Sequence, residues 1–373
     1  MSEHYDIIVS GHLCLDLIPD MDMVPLSALA SPGQLFEIGP LQFSTGGAVS
    51  NTGLALHRLG VNVRLMSTVG EDLLGRVIIA FLNDRDPLLT QLLTKHTSRA
   101  SSYTVVLSPQ RADRSFLHHT GTNTAFGIDD IDFTILEQAR IFHLGYPPLL
   151  PRLVARDGQE LREIYARAQS TGVITALDMT LPDPNSATGQ LDWQAILRNT
   201  LPHVDIFIPS IEEILFMLRR ADFDAWQGDI LNHLNRDYLA QLADEILASG
   251  VAITGFKLGE LGFYLKTAPS DRIQRLGKLS LDATQWDAVE LWSPAFLVEV
   301  VNTIGAGDSA YGAFLAALLR GFDPQAAIQW ACAVGACNVE AADATSGVRS
   351  WDETAARIRA GWPQRKDQLP GMT

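Results

Sequence analysis

The chain is poor in cysteine, in basic side chains and in long apolar runs, and each shortage removes a class of function. Its three cysteines, Cys14, Cys332 and Cys337, sit in apolar stretches without CxxC spacing. Neither a disulfide framework nor a zinc site is expected, and the thiols read as buried groups of a reducing compartment. Lys and Arg together number 28 against 43 Asp and Glu, for a net charge of -15. Such a surface repels phosphate backbones and anionic headgroups, so neither nucleic acid nor membrane is expected as a partner. No apolar run reaches membrane-spanning length, and Met1 to Asp6 lacks a basic region and a signal-type apolar core, so a soluble, cytoplasmic protein is expected. Internal repeats, low-complexity tracts and long linkers are also missing.

What is present is a chain of 373 residues, 47% hydrophobic, enough to bury a large α/β core as one unit over 1–373. From Ala139 onward, strand-like and helix-like runs alternate: Arg140 to Gly145, Leu153 to Ser170, Val173 to Asp178, Ile206 to Pro209, a helix from Glu212, and Val251 to Gly255. That rhythm predicts a doubly wound, mostly parallel sheet flanked by helices. Ser101 to Leu107 and Ser115 to His119, joined by the polar turn Ser108 to Arg114, predict a hairpin. Together with Phe36 to Phe43 they predict a small separate sheet. His118 and His119 are neighbours on one strand and face opposite ways, so a shared metal is not expected.

The chemistry concentrates in Val301 to Phe314. The apolar run Pro294 to Val301 predicts a strand that enters the turn Gly305-Ala306-Gly307, and small and apolar residues at helical spacing then run to Arg320 and stop at Gly321. Backbone N–H groups at such a helix start attract an anion. A carboxylate in the same place, Asp308, would repel phosphate in a mere binding loop, but it suits deprotonation of a hydroxyl while charge builds on a transferring phosphoryl group. The plainer alternative is an N-cap Asp beside a tight connection. Three further stretches carry candidate groups. Gly11 is followed by Asp16 inside an apolar continuation, which predicts a carboxylate at a sheet edge. Gly46 and Gly47 precede Asn51 at a helix start, and Lys257 leads into Gly259 and Gly262.

The Asn302-Thr303-Ile304-Gly305-Ala306-Gly307-Asp308 run resembles the C-terminal signature of the ribokinase/PfkB family of carbohydrate kinases. Gly46-Gly47 with Asn51, and Val69-Gly70-Glu71-Asp72, resemble its N-terminal elements. The resemblance implies a ribokinase-like α/β fold with a β-sheet lid, here about 12–18, 36–45 and 100–120, which often pairs between subunits into a homodimer. It implies Asp308 as general base, with the Gly305, Ala306 and Gly307 amides as anion hole. Asp16, Gly46, Gly47 and Asn51 would hold a sugar, with Arg114-Ser115-Phe116 falling at the family's Arg-x-Phe. ATP would lie over Lys257, Gly259 and Gly262 with Cys332 near the base, and Glu213, in Pro209-Ser210-Ile211-Glu212-Glu213, would support Mg2+. Lys257 could equally be a solvated strand-end lysine, and Glu213 one of two acids in a helix's first turn. A monovalent cation such as K+ near Asn302, Ile304 and 343–347 is allowed, not required. The departures are Ser210 for Asn, Asn302 for Asp, and no Arg after Asp178.

Two other readings of the same pattern stay open. A nucleoside kinase would need an aromatic wall, for which Phe43, Phe116 and Tyr146 are candidates, and a sugar-binding protein without turnover is the reading from another class. Three stretches, Leu181 to Thr200, Arg219 to Tyr238 and Thr267 to Trp292, read as polar surface insertions.

Overall fold

A computed structural model describes residues 4–30, 32–109, 115–366 and 369–372. Its strands are β1 (Tyr5–Gly11), β2 (Cys14–Pro19), β3 (Leu41–Gly46), β4 (Val63–Gly70), β5 (Leu92–His96), β6 (Tyr103–Leu107), β7 (Ser115–His119), β8 (Ala139–Gly145), β9 (Ile174–Asp178), β10 (Ile206–Phe207), β11 (Ile253–Lys257), β12 (Phe263–Thr267) and β13 (Glu290–Ser293). Nine of them form one sheet in the order β13-β12-β11-β10-β9-β8-β1-β4-β5. From β5 to β11 every pairing is parallel, and the β11, β12 and β13 edge is antiparallel.

The alternation of β1 assigns its side chains to two cores. Ile7 and Val9 pack with the helices Ala48–Arg58, Ala306–Leu319 and Pro324–Asn338, while Ile8 packs with Pro151–Ser170, Ile211–Leu218 and Arg236–Ala248. All three side chains are fully buried, as a parallel sheet covered on both faces requires. The strand order reverses at β1, whose neighbours are β4 on one side and β8 on the other. In such sheets the crevice beyond the carboxyl ends of the reversing strands is where ligands bind. A Cβ on Gly145, the last residue of β8, would lie 2.1 Å from the Ala48 Cβ. Its absence lets the helix Ala48–Arg58 start directly over that crevice.

The remaining strands form a second sheet, β3-β2-β6-β7. Its registers align Ser44, Asp16, Thr104 and His118 in one cross-strand row, and Phe43, Leu17, Val105 and Leu117 in the next. Successive residues face opposite ways, so the polar row with Asp16 and His118 lies on one face and the apolar row with Phe43 and Leu117 on the other.

Several expectations change in detail. Pro294 to Val301 is not a strand: Pro294 brings no N–H, and the backbone finds partners outside the sheet, with Leu297 N–H bonded to Pro363 O and Val301 N–H to Val339 O. Asp16 lies on β2 of the second sheet and not at the edge of the main one, because the chain leaves β1 at Gly11 before resuming extended structure. The strand anticipated from Phe36 starts only at Leu41. The helix expected from Leu153 begins at Pro151 and is interrupted at Ala155 to Gly158. The stretches read as polar insertions carry apolar anchors: Trp193 and Ile196 on one short helix, and Ile273 and Trp286 further on, are all buried. Arg114 lies outside the described residues.

Candidate active site

The helix Ala306–Leu319 begins at Gly305, whose φ of 73° and ψ of 0° are left-handed, a conformation that costs a residue with a Cβ on the order of 1–2 kcal/mol. A Cβ there would also stand 2.3 Å from Ala344 O. The turn directs Asp308 into the interior, where it is 2% exposed. Its Oδ2 accepts hydrogen bonds from Asn51 Nδ2 at 3.0 Å and from the Tyr146 hydroxyl at 2.8 Å, and its Oδ1 accepts from the Thr52 hydroxyl at 3.3 Å. The two glycine-rich helix starts, one near each end of the chain, therefore meet at one carboxylate. Among the described residues the Gly305 and Gly307 N–H groups have no acceptor, as expected in a helix's first turn. The Ala306 N–H is already bonded to Thr303 O at 3.2 Å, so the amide trio expected for an anion hole is reduced to its two glycines.

Behind Asp308 lies a buried charge cluster. Lys257 Nζ donates to Asp178 Oδ1 at 2.7 Å, the lysine side chain being 10% exposed and the carboxylate fully buried. Lys257 closes β11 but is not a solvated strand-end residue: its ammonium lies under Gly307, whose Cβ, if present, would be 3.5 Å from Nζ. Burial opposes charge on Lys257, but Asp178, Glu213 and Asp308 around it raise its pKa above the ordinary lysine value. Burial likewise pushes the Asp308 carboxyl up, with Lys257, Asn51, Tyr146 and Thr52 pulling the other way. Glu213 Oε2 accepts the Ser210 N–H at 2.7 Å, so the acid does cap its own helix while also standing within reach of Lys257. Asp178 Oδ2 is buried with no partner.

The polar face of the second sheet borders this cluster. Cys14 Sγ lies 3.5 Å from Asp16 Oδ1, and Gly46 leaves room for the same carboxyl, since a Cβ there would be 2.4 Å from Asp16 Oδ2. Burial pushes Asp16 up to about 6, against the hydrogen bonds from Cys14 and Thr104. Gly47 packs on His12, whose ring lies 5.2 Å from that of His118 on β7 and 6.3 Å from that of Tyr146. His118 faces Thr104 while His119 stacks on Tyr103, so the adjacent histidines share no ligand position. Burial, with His118 nearby, pushes His12 down to about 3. The ring is neutral at physiological pH, and neither of its nitrogens has a partner.

The other residues expected at a nucleotide, Gly259, Gly262 and Cys332, gather on the β11 to β13 edge. Gly262 abuts Ser293 O and Ala295 N, and Cys332 Sγ donates to Ser293 O at 3.5 Å. The Gly262 N–H is bonded to Gly259 O at 3.1 Å, so Gly262 serves close packing and its amide is not free for a phosphate. Gly259 faces open space. Cys332 is buried beneath the hairpin.

No group of three or more Asp, Glu, His or Cys poised to cage a metal occurs among the described residues. That fits a divalent cation that arrives on phosphate and keeps most of its water, which takes one or two carboxylates; Glu213 and the unpartnered oxygen of Asp178 suit it. Near the expected monovalent site, Ile304 O accepts from Asn338 Nδ2 at 3.0 Å and Ala342 O from Asn302 Nδ2 at 2.7 Å, which leaves each carbonyl a second lone pair.

Sequence reasoning missed Tyr146 as a partner of Asp308, and also Thr52, Asp178 and His12. A carboxylate closing the apolar strand Ile174–Asp178 was the one available signal, because parallel strand ends in such folds carry site residues.

Comparison with known proteins agrees with this geometry. Residues 6–351 match the family model described as pfkB family carbohydrate kinase. The chain is 22% identical over 332 residues to a 2-dehydro-3-deoxygluconokinase of Bacillus subtilis, covering 88% of this chain and 90% of that one. It is 25% identical over 368 residues to a nucleoside kinase of Methanothermobacter thermautotrophicus, covering 97% and 98%. Its fold superposes on a ribokinase of Arabidopsis thaliana solved with ribose and ATP at a TM-score of 0.72 and 17% identity, covering 96% and 99% of the two chains. With the ribokinase-like sheet, the paired glycine-rich helix starts and the buried carboxylate between them, the match over nearly the whole length places this chain in the PfkB family of carbohydrate kinases.

Proposed function

We propose that the protein transfers the γ-phosphoryl group of ATP to a hydroxyl of a small sugar or sugar-like polyol, with Asp308 taking the hydroxyl proton. The observation that carries this reading is the Asp308 carboxylate at the first turn of Ala306–Leu319, held by Asn51, Tyr146 and Thr52 and backed by Lys257. A base must be fixed in place and still able to accept a proton. Burial that raises the Asp308 pKa brings it toward the working pH and makes it a better acceptor. Negative charge arriving on the phosphoryl oxygens would meet the Gly305 and Gly307 amides and the positive helix end. Lys257 lies beneath Gly307 and adds a fixed positive charge. Glu213 and Asp178 would be the carboxylates near a Mg2+ brought by ATP, which would supply further charge neutralisation there. Asn51 positions Asp308 through one amide N–H, and its Oδ1, buried without a partner, is left for an acceptor hydroxyl.

Asp16, His12 and His118 supply acceptors and donors for an acceptor's hydroxyls on the polar face of the second sheet, which would act as the lid. The apolar row Phe43, Leu17, Val105 and Leu117 on the other face leaves Phe43 45% and Leu117 58% exposed. We read that row as the seam of a homodimer formed lid to lid. A nucleoside acceptor is the second reading, favoured by the likeness to a nucleoside kinase along nearly the whole chain. Of its aromatic candidates, Tyr146 stands at the base, whereas Phe43 lies in the apolar row. ATP consumption measured over a panel of neutral sugars, sugar acids and nucleosides tests the proposal. Turnover with a sugar supports it, turnover with nucleosides alone selects the second reading, and ATP binding without turnover on any of them contradicts both.

A further inference from the structure

The Tyr146 hydroxyl occupies the position that the chemistry needs for the acceptor. A substrate alcohol losing its proton to Asp308 must first donate an O–H···O hydrogen bond to that carboxylate, and the Tyr146 hydroxyl already makes such a bond at 2.8 Å. The same oxygen, Oδ2, also takes Asn51 Nδ2 at 3.0 Å. Two donors fill the lone-pair directions of one carboxylate oxygen. Asn51 and Thr52 sit on the helix Ala48–Arg58, which is packed against the main sheet. Tyr146 belongs instead to the connection after β8, and it is partly exposed where Asp308 is 2% exposed. Part of the residue thus reaches solvent while its hydroxyl lies on Asp308.

The backbone at this residue is unusual. Tyr146 has φ 65° and ψ 47°, left-handed for a bulky side chain and directly before Pro147, where extended conformations are preferred. Residues persist in such states only when their surroundings over-determine them. Here the Tyr146 N–H is bonded to Asp178 O at 3.1 Å and its carbonyl accepts the Leu149 N–H at 3.0 Å. Tyr146 is thus fastened by its backbone to the strand end that holds Lys257 and by its hydroxyl to the base.

We propose that Tyr146 holds the acceptor's place on Asp308 in the resting protein, keeping water off the base until an acceptor alcohol displaces the phenol. The inference rests on the kinase reading above. The reaction it suppresses is hydrolysis: a water oxygen would bond to the γ-phosphorus, the bond from that phosphorus to the β–γ bridging oxygen would break, and the water proton would pass to Asp308, releasing ADP and inorganic phosphate. A hexose or nucleoside hydroxyl brings further contacts to Asp16 and the histidines and can outcompete the phenol. A lone water brings none.

The test needs no knowledge of the acceptor. The full chain, with ATP and Mg2+ and no acceptor, is assayed for phosphate release as wild type, Tyr146→Phe, Tyr146→Met and Tyr146→Phe/Asp308→Asn, with ATP affinity read separately by calorimetry. Losing a hydrogen bond to a charged group should raise acceptor-free hydrolysis on the order of tenfold in both single variants. The added Asp308→Asn should return it to the wild-type level. Hydrolysis at or below the wild-type rate in both single variants, with ATP affinity unchanged, overturns the proposal and leaves the kinase reading standing. A wild-type chain that binds no ATP overturns the kinase reading and this inference with it.

Discussion

At the scale of single residues, the site is a contest between burial and compensation. Asp308, Asp178 and Glu213 are carboxylates drawn out of water, and each has its pKa raised by that burial. Lys257 offsets the repulsion among them, which is why a lysine sits at the end of an otherwise apolar strand. Asp16 is a different case, because its titration falls within reach of an assay. Its carboxyl is pushed up to about 6 by burial, and the ionised form accepts hydrogen bonds on both oxygens, whereas protonation turns one of them into a donor. As pH falls through about 6, Asp16 protonates and loses that capacity, so kcat/KM for the acceptor should fall by up to about tenfold per pH unit. Asp16→Asn should weaken acceptor binding at every pH and remove this limb from the profile. A variant profile with the same acid limb would assign it to another group, Asp308 being the nearest contender.

At the scale of elements, glycines decide where helices begin, and helix starts build the site. Gly305→Ala must force a Cβ into a left-handed backbone and against Ala344 O. It should lower stability by at least about 1–2 kcal/mol and weaken ATP binding through displacement of the Gly305 and Gly307 amides. Thermal melts and calorimetry of the variant would show both, and an unchanged ATP affinity would contradict the anion-hole assignment. This much was readable from Val301 to Phe314, as were the parallel strands from Ala139 onward, because hydrophobic periodicity and the Gly-Ala-Gly-Asp spacing are local signals. Tyr146 and Thr52 were not readable as partners of the base. They lie 162 and 256 residues from Asp308, and nothing local to Gly145-Tyr146-Pro147 or Asn51-Thr52 encodes which carboxylate they will meet. The segment Pro294 to Val301 was misread for the opposite reason. Its β-branched residues carry strand propensity, but no neighbouring strand is left to pair with them, and propensity yields to the available hydrogen-bond partners.

At the scale of the whole molecule, two sheets divide the labour. The nine-stranded sheet fixes the base, the buried cluster and the β11 to β13 edge, and the four-stranded sheet brings Asp16 and His118 to the crevice at β1. The smaller sheet shows its apolar row to solvent in a single chain. If that row is a dimer seam, Leu117→Lys together with Phe43→Lys should convert a dimer into a monomer in sedimentation velocity. A wild-type chain that sediments as a monomer would contradict the seam without touching the site. The account as a whole turns on Asp308 acting as a base and not as a helix cap. Asp308→Asn keeps the size of the side chain and one acceptor oxygen and removes its ability to take a proton. It should leave ATP and acceptor binding in calorimetry nearly intact while turnover falls by about 10²- to 10⁴-fold, and turnover near the wild-type rate would contradict the central claim.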